Sequence, residues 1–203
     1  MDSNDPDTVN CSLLKRLLRD VPEPDERTLR RFYKFVDNYV SGLPIVSPMP
    51  FEEWLESTTY NEERKMQLRQ AYKELRGGLP TQKNCERIDA FVKSEFYCEW
   101  KNARMINSRS DKFKVWSGPR FKAIEKVVYQ IPEFVKHIPC ADRPGVVAGF
   151  KKSGRHYYIT DFTAYESHFT PKFMRNCECR LYEHCLGGDR DAKLITKTLT
   201  GKN

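Results

Sequence analysis

The amino-acid sequence predicts an α+β fold, and three observations carry that expectation. The N-terminal half shows helical spacing of its apolar residues. Two short stretches in the middle and one near the end alternate or enrich β-branched and aromatic residues in the manner of strands. Strands and helices do not alternate as βαβ units, so a parallel sheet is not expected.

Taken in order, the first ten residues are polar and are expected to fray. Leu13, Leu14, Leu17 and Leu18 then predict a short amphipathic helix that Pro22-Glu23-Pro24 ends. Pro24 and Asp25 open a second helix, with acidic residues in the first turn to complement its dipole. Its apolar stripe is Leu29, Phe32, Tyr33, Val36, Tyr39 and Val40, and Gly42 suits its C-cap. Pro44, Pro48 and Pro50 lead to one or two helical turns over Phe51–Glu56. A longer helix is expected from about Asn61 to Arg76, with Leu68, Tyr72 and Leu75 inward and Gly77-Gly78 as its stop.

After Pro80 the pattern changes. Ile88, Ala90 and Val92 alternate with Asp89, Phe91 and Lys93, which predicts a strand. Ala103–Asn107 is a second strand candidate. Gly118-Pro119 is read as the start of a helix with Phe121, Ile124, Val127 and Val128 on one face. His156-Tyr157-Tyr158-Ile159-Thr160 predicts a strand ending at Asp161, and Pro171 opens a helix to about Leu186. The segments 1–79, 80–153 and 154–203 are the expected divisions.

Composition excludes several classes. The 203 residues include 12 Phe, 10 Tyr and 3 Trp, more aromatic material than a disordered chain carries. No apolar run is long enough to span a bilayer, and the acidic start Met1-Asp2-Ser3 is no secretory signal. The 7 cysteines form no CxxC pair and read as reduced thiols. Cys177, Cys179, His184 and Cys185 cluster, but residues two apart on a helix diverge, so these are expected in the core and not around zinc.

The net charge of +7 is unevenly spread. Residues Met1–Tyr60 hold 7 basic and 11 acidic side chains, whereas Lys101–Tyr129 hold 8 basic and 2 acidic. A basic block of that kind is the expected footprint of a phosphate-bearing partner, or else a solvated face.

Two stretches can carry chemistry. In Asp161-Phe-Thr-Ala-Tyr-Glu166 a carboxylate would sit at the mouth of a strand, with a second acid facing the same space. Mg²⁺ takes one or two carboxylates together with substrate phosphates. In Lys93-Ser-Glu95, Lys101-Asn-Ala-Arg104 and Arg109, cations would project from a β-ribbon. Arg offers phosphate a planar fork and Lys a point charge. The plain alternative is surface cations paired with Glu95 or Glu99.

Together these stretches resemble the RNA-dependent RNA polymerases of positive-strand RNA viruses, with the tombusvirus-like and nodavirus-like groups nearest. Phe91-Val-Lys-Ser-Glu-Phe-Tyr followed by Lys101-Asn-Ala-Arg-Met-Ile-Asn-Ser-Arg-Ser is similar to the family's motif F. Tyr158-Ile-Thr-Asp-Phe-Thr-Ala-Tyr-Glu-Ser-His-Phe is similar to motif A. The similarity covers roughly Phe51 to Asn203.

The resemblance implies the fingers and the start of the palm of a right-hand polymerase. Asp161 would be catalytic and hold Mg²⁺, with Mn²⁺ as a substitute. Lys93, Lys101, Arg104 and Arg109 would bind nucleotide, and Glu166 would meet the ribose. The partners would be NTPs, template and nascent RNA, and the C-terminal palm and thumb of the same polypeptide. The place would be the host cytoplasm, at membrane-associated replication complexes.

Glu166 stands where the family usually has Asp. Motifs B and C are expected downstream of motif A. Gly188-Asp-Arg-Asp191 is only superficially similar to Gly-Asp-Asp and reads as a helix cap and turn. The expectation is therefore an N-terminal polymerase portion, inactive alone. The rival expectation is a non-enzymatic basic RNA-binding module built on Lys101–Tyr129.

Overall fold

The computed structural model describes residues 5–96, 98–99, 101–151 and 156–201. It is helix-rich, with one two-stranded antiparallel sheet, and so α+β. The division expected between 153 and 154 lies outside the described residues.

Residues 6–12 are helical, contrary to the expected frayed start. Asp5 caps α1 (Pro6–Ser12) by accepting from the Thr8 N–H at 2.9 Å. The chain then widens into a π-turn, Leu13–Leu17, closed by the Leu18 N–H on the Leu13 carbonyl at 2.8 Å. Asp25 caps α2 (Glu26–Val40), which buries Leu29, Val36 and Val40. Phe32 stacks on Phe173, whereas Tyr39, expected inward, is exposed together with Phe35.

The short α3 (Phe51–Glu56) and α4 (Glu62–Leu75) appear where expected. Asn61 caps α4, and Arg76 and Gly77, both at positive φ, end it. Leu68 is fully buried, while Tyr72 lies half-exposed, stacked on Phe51 at 3.8 Å.

After α5 (Gln82–Glu86) the strands β1 (Ile88–Val92) and β2 (Met105–Arg109) pair antiparallel, from Ile88 opposite Arg109 to Val92 opposite Met105. The second strand starts two residues later than expected. A lone hairpin is marginal in water. This one is tied down at its base, where the Ser110 hydroxyl donates to the Asn84 carbonyl at 2.5 Å.

The main correction concerns α6 (Asp111–Val128). It begins at the Ser110 cap, so Gly118-Pro119 lie in its interior and do not start it. Proline there leaves the Val115 carbonyl without its helical donor. Tertiary packing outweighs that cost: Gly118 lets the Trp54 indole lie directly against the helix. The Pro119 carbonyl also accepts from Met49 N–H at 3.2 Å.

The two apolar clusters meet on α6. Val115 joins Met49, Phe51, Trp54, Leu55 and Leu68, while Phe113, Trp116 and Ile124 join Cys85, Cys185 and Ile195. The second cluster draws on all three expected segments.

Four helices and a 3₁₀ turn follow α6 among the described residues, in place of the expected strand and single helix. A short α7 (Arg143–Gly149) sits in the Pro-punctuated stretch. Residues 156–160 form no strand, because no strand edge pairs with them among the described residues, and Tyr158 and Ile159 are almost fully exposed. The helix from Pro171 breaks at Cys177 into α8 (Pro171–Asn176) and α9 (Glu178–Cys185). Gly187 and Gly188, both at positive φ, turn the chain, and Asp189 caps α10 (Arg190–Thr200). Cys179 and Cys185 are fully buried, as core thiols. Among the described residues no helix is long and apolar enough to cross a membrane.

Candidate functional site

The hairpin builds the site. Beyond the last register pair, the Lys93 N–H donates to the Arg104 carbonyl at 2.7 Å, so the ladder runs one step further. That step places the Lys93-Ser-Glu95 and Lys101–Arg104 segments side by side. Glu95 is their hub. Lys93 Nζ lies 2.7 Å from its Oε1. Arg104 Nε donates to its Oε2 at 2.8 Å, and Nη2 completes the fork on Oε1. The Glu95 side chain is 17% exposed, against 43% for Lys93 and 44% for Arg104. The carboxylate is thus sheltered and the cations face outward. Each cation is nearly half exposed to solvent, which weakens its hold on Glu95, so a polyanion can compete for both.

The Asp161–Glu166 segment reaches the same neighbourhood from the other end of the chain. Ala164 adopts a left-handed conformation at φ 50° and starts the 3₁₀ turn Tyr165–His168. A ladder of rings fastens this turn to α2: Phe162 on Tyr165, Tyr165 on Phe169, Phe169 on Phe173, and Phe173 on Phe32.

Glu166 accepts from Arg16 Nε at 2.8 Å. Burial pushes its carboxyl up. The hydrogen bond from Arg16, its own backbone N–H and the charges of Arg16 and Arg104 outweigh this and hold it below the usual range. Glu166 is therefore within electrostatic reach of Arg104.

Asp161 is exposed and lies in no helix or strand. The strand mouth expected to present it is absent, because no strand pairs with residues 156–160 among the described residues.

The remaining cations separate into two kinds. Lys101 is exposed and lines a cleft of about 220 Å³ with Asp5, Asp7 and Cys11 of the N-terminal segment. Arg109 points inward, donating to the carbonyls of Cys85 at 2.8 Å and Thr198 at 3.3 Å. It ties β2 to α5 and α10, and burial lowers its pKa. The structure thus groups Lys93 and Arg104 around Glu95 and sets Arg109 apart.

Sequence reasoning missed the N-terminal clasp on this site. The Ser12 hydroxyl donates to the Ala103 carbonyl at 2.6 Å in a buried bond, and Arg16 holds Glu166. These contacts join residues 91 and 150 positions apart, and no local pattern signals them.

The basic block on α6 is largely neutralised internally. Lys112 pairs with Glu74, Lys114 with Asp111, Arg120 with Asp191, Lys122 with Glu125 and Lys126 with Glu53. Its charge count therefore overstates the positive surface it offers.

The residues do not by themselves fit a divalent cation. Asp161 is one exposed carboxylate, and its neighbour Glu166 is engaged by Arg16. Among the described residues no three His, Cys, Asp or Glu side chains converge.

No protein-family model matches the chain, and neither a curated protein nor a solved structure matches it.

Proposed function

We propose that the chain is part of an RNA-directed RNA polymerase, in which the Lys93–Glu95–Arg104 cluster receives the triphosphate of an incoming nucleotide. The observation that supports this reading is the cross-strand meeting of the Lys-x-Glu and Lys-x-x-Arg segments. The two sequence stretches that resemble motif F become one outward-facing cationic surface around a sheltered carboxylate.

In this reading Arg104 and Lys93 exchange Glu95 for phosphate oxygens when nucleotide binds, with Lys101 beside them. Arg104 supplies a two-point fork and Lys93 a point charge. The attack of a 3′-hydroxyl on the α-phosphate, with loss of pyrophosphate, builds negative charge that fixed cations stabilise. Glu166, near Arg104, would meet the ribose hydroxyls once released from Arg16. The assignment of Asp161 to Mg²⁺ or Mn²⁺, the RNA template and product, the rest of the palm and thumb, and the site of viral replication rest on the resemblance alone.

Calorimetric titration with ATP and with AMP tests the cluster. The reading requires ATP to bind at least about tenfold more tightly than AMP, and Arg104→Ala to remove that preference, since each charge-assisted hydrogen bond contributes about 1.5–3 kcal/mol. Equal affinity for the two nucleotides, or ATP binding indifferent to Arg104→Ala, overturns it.

A further inference from the structure

We infer that the outer face of α2 is a docking surface for single-stranded RNA, separate from the Lys93–Arg104 cluster. Residues 27, 31, 34 and 38 recur at intervals of four, three and four, so Arg27, Arg31, Lys34 and Asn38 share one face of the helix. All four are exposed, and the face lies opposite the buried Leu29, Val36 and Val40. Along the flank of this stripe Phe35 and Tyr39 are exposed at 59% and 45%, their ring centroids 5.7 Å apart.

The charge on this face is uncompensated. The two acids of α2 are engaged elsewhere, Glu26 with Arg30 and Asp37 with Arg180. Arg27, Arg31 and Lys34 make no ion pair among the described residues. The contrast with α6 is sharp. The stretch richest in basic residues is internally paired, whereas α2, in a segment with more acids than bases, displays three cations with no ion pair among the described residues.

Cations in a row beside exposed aromatic rings suit a single strand. The cations track phosphates, and bases stack on the rings, which a duplex would not permit because its base faces are covered. Arg27 to Asn38 spans about 16 Å at the helical rise, room for several phosphates. The Asn38 amide and the Tyr39 hydroxyl can each pair with a 2′-hydroxyl, which favours RNA over DNA. A membrane surface fits less well. A helix lying on a bilayer inserts its apolar face, and that face of α2 is buried inside the protein.

The test uses the whole chain and a fluorescein-labelled oligouridylate, with anisotropy measured over a range of salt. The triple variant Arg27→Gln/Arg31→Gln/Lys34→Gln is expected to bind at least about tenfold more weakly at low salt. Its slope of log K against log[salt] should be shallower by about 2, for three phosphate contacts on a single strand. Phe35→Ala should weaken binding by about five- to a hundredfold with the slope unchanged, because it removes stacking and no charge. A control with the same loss of charge, Lys112→Gln/Lys122→Gln/Lys126→Gln, should bind as wild type.

None of these side chains is buried, and circular dichroism checks that each variant is folded. Equal losses from the two triple variants overturn the proposal, as does tighter binding to oligothymidylate than to the RNA. So does binding to equimolar phosphatidylcholine–phosphatidylserine vesicles that depends on Arg27, Arg31 and Lys34 while the RNA is ignored. ATP binding through Arg104 is unaffected by either result.

Discussion

Gly118→Ala probes the packing that places a proline inside α6. In an ordinary helix interior this change is favourable by about 1 kcal/mol, because glycine is the poorer helix former. Here the added Cβ would fall 2.3 Å from Trp54 Cζ2, 2.4 Å from Cε2 and 2.8 Å from Nε1. Carbon atoms pack best at about 3.5–4.0 Å, so helix and indole must separate by more than an ångström. The indole has little room to retreat, since Trp54 is 7% exposed and packed among Met49, Phe51, Leu55 and Leu68. Overpacking costs about 1–3 kcal/mol, and a displacement of this size belongs at the upper end. After subtracting the propensity gain, the net loss is about 2 kcal/mol, or roughly 4–8 °C in Tm for a chain of this length. Urea unfolding followed by tryptophan fluorescence measures it. The penalty should shrink in a Trp54→Leu background, where the clashing ring atoms are gone, giving a coupling above about 0.5 kcal/mol in a double-mutant cycle. A Gly118→Ala protein as stable as wild type would mean that Trp54 does not lie on the helix and that Gly118-Pro119 begin it after all.

Arg104→Lys keeps the charge and removes the fork. It should weaken ATP binding by roughly ten- to a hundredfold in calorimetry and change Tm far less, since a lysine there still pairs its charge with Glu95; unchanged ATP affinity would take Arg104 out of the nucleotide site. Arg64 holds the Asp111 carboxyl below its usual range. This stability is present above the unfolded carboxylate pKa and is lost as pH falls through the folded one, so Asp111→Asn should lower Tm at neutral pH and make no difference in strong acid. Glu178 has the opposite sign, because burial raises its pKa and its Oε2 has no hydrogen-bond partner among the described residues. Its charged form costs stability as pH rises above the unfolded value, so Glu178→Gln should raise Tm at pH 7, with the gain vanishing in acid; a Tm difference independent of pH would contradict the burial of the charge. Arg109→Lys replaces a fork that spans two carbonyls with a single ammonium, and it should lower Tm while ATP affinity is kept.

Local signals were legible where local chemistry decides the outcome. Asp25 and Asn61 cap the two long N-terminal helices, and Gly77, Gly187 and Gly188 turn the chain at positive φ. Alternation around Val92 foretold the hairpin, which in turn brings Lys93 and Arg104 together. The failures occur where a distant partner decides. Gly-Pro is a good helix start by itself, but Trp54 and the Ser110 cap outweigh it in α6. His156–Thr160 has strand composition and no neighbouring strand among the described residues. Arg109 looks like another outward cation until α5 and α10 supply carbonyls to receive it. The positive charge of α6 likewise reads as a surface until Glu74, Asp191 and Glu53 arrive from other helices.

The N-terminal clasp has a consequence for how the protein is made. Its residues leave the ribosome well before their partners, so Ser12 waits for Ala103 and Arg16 waits for Glu166. At about 5–20 residues per second, some 150 intervening residues mean a delay of roughly 8–30 s. Throughout that interval Leu13 and Leu17, half-buried at the end, have nothing to cover them. Closing so long a loop is entropically costly and yields only a few contacts, which places the clasp last to form and among the first parts to open. The nascent chain therefore carries a sticky segment whose shelter is synthesised late, and that makes residues 5–18 the natural place for a chaperone to hold it.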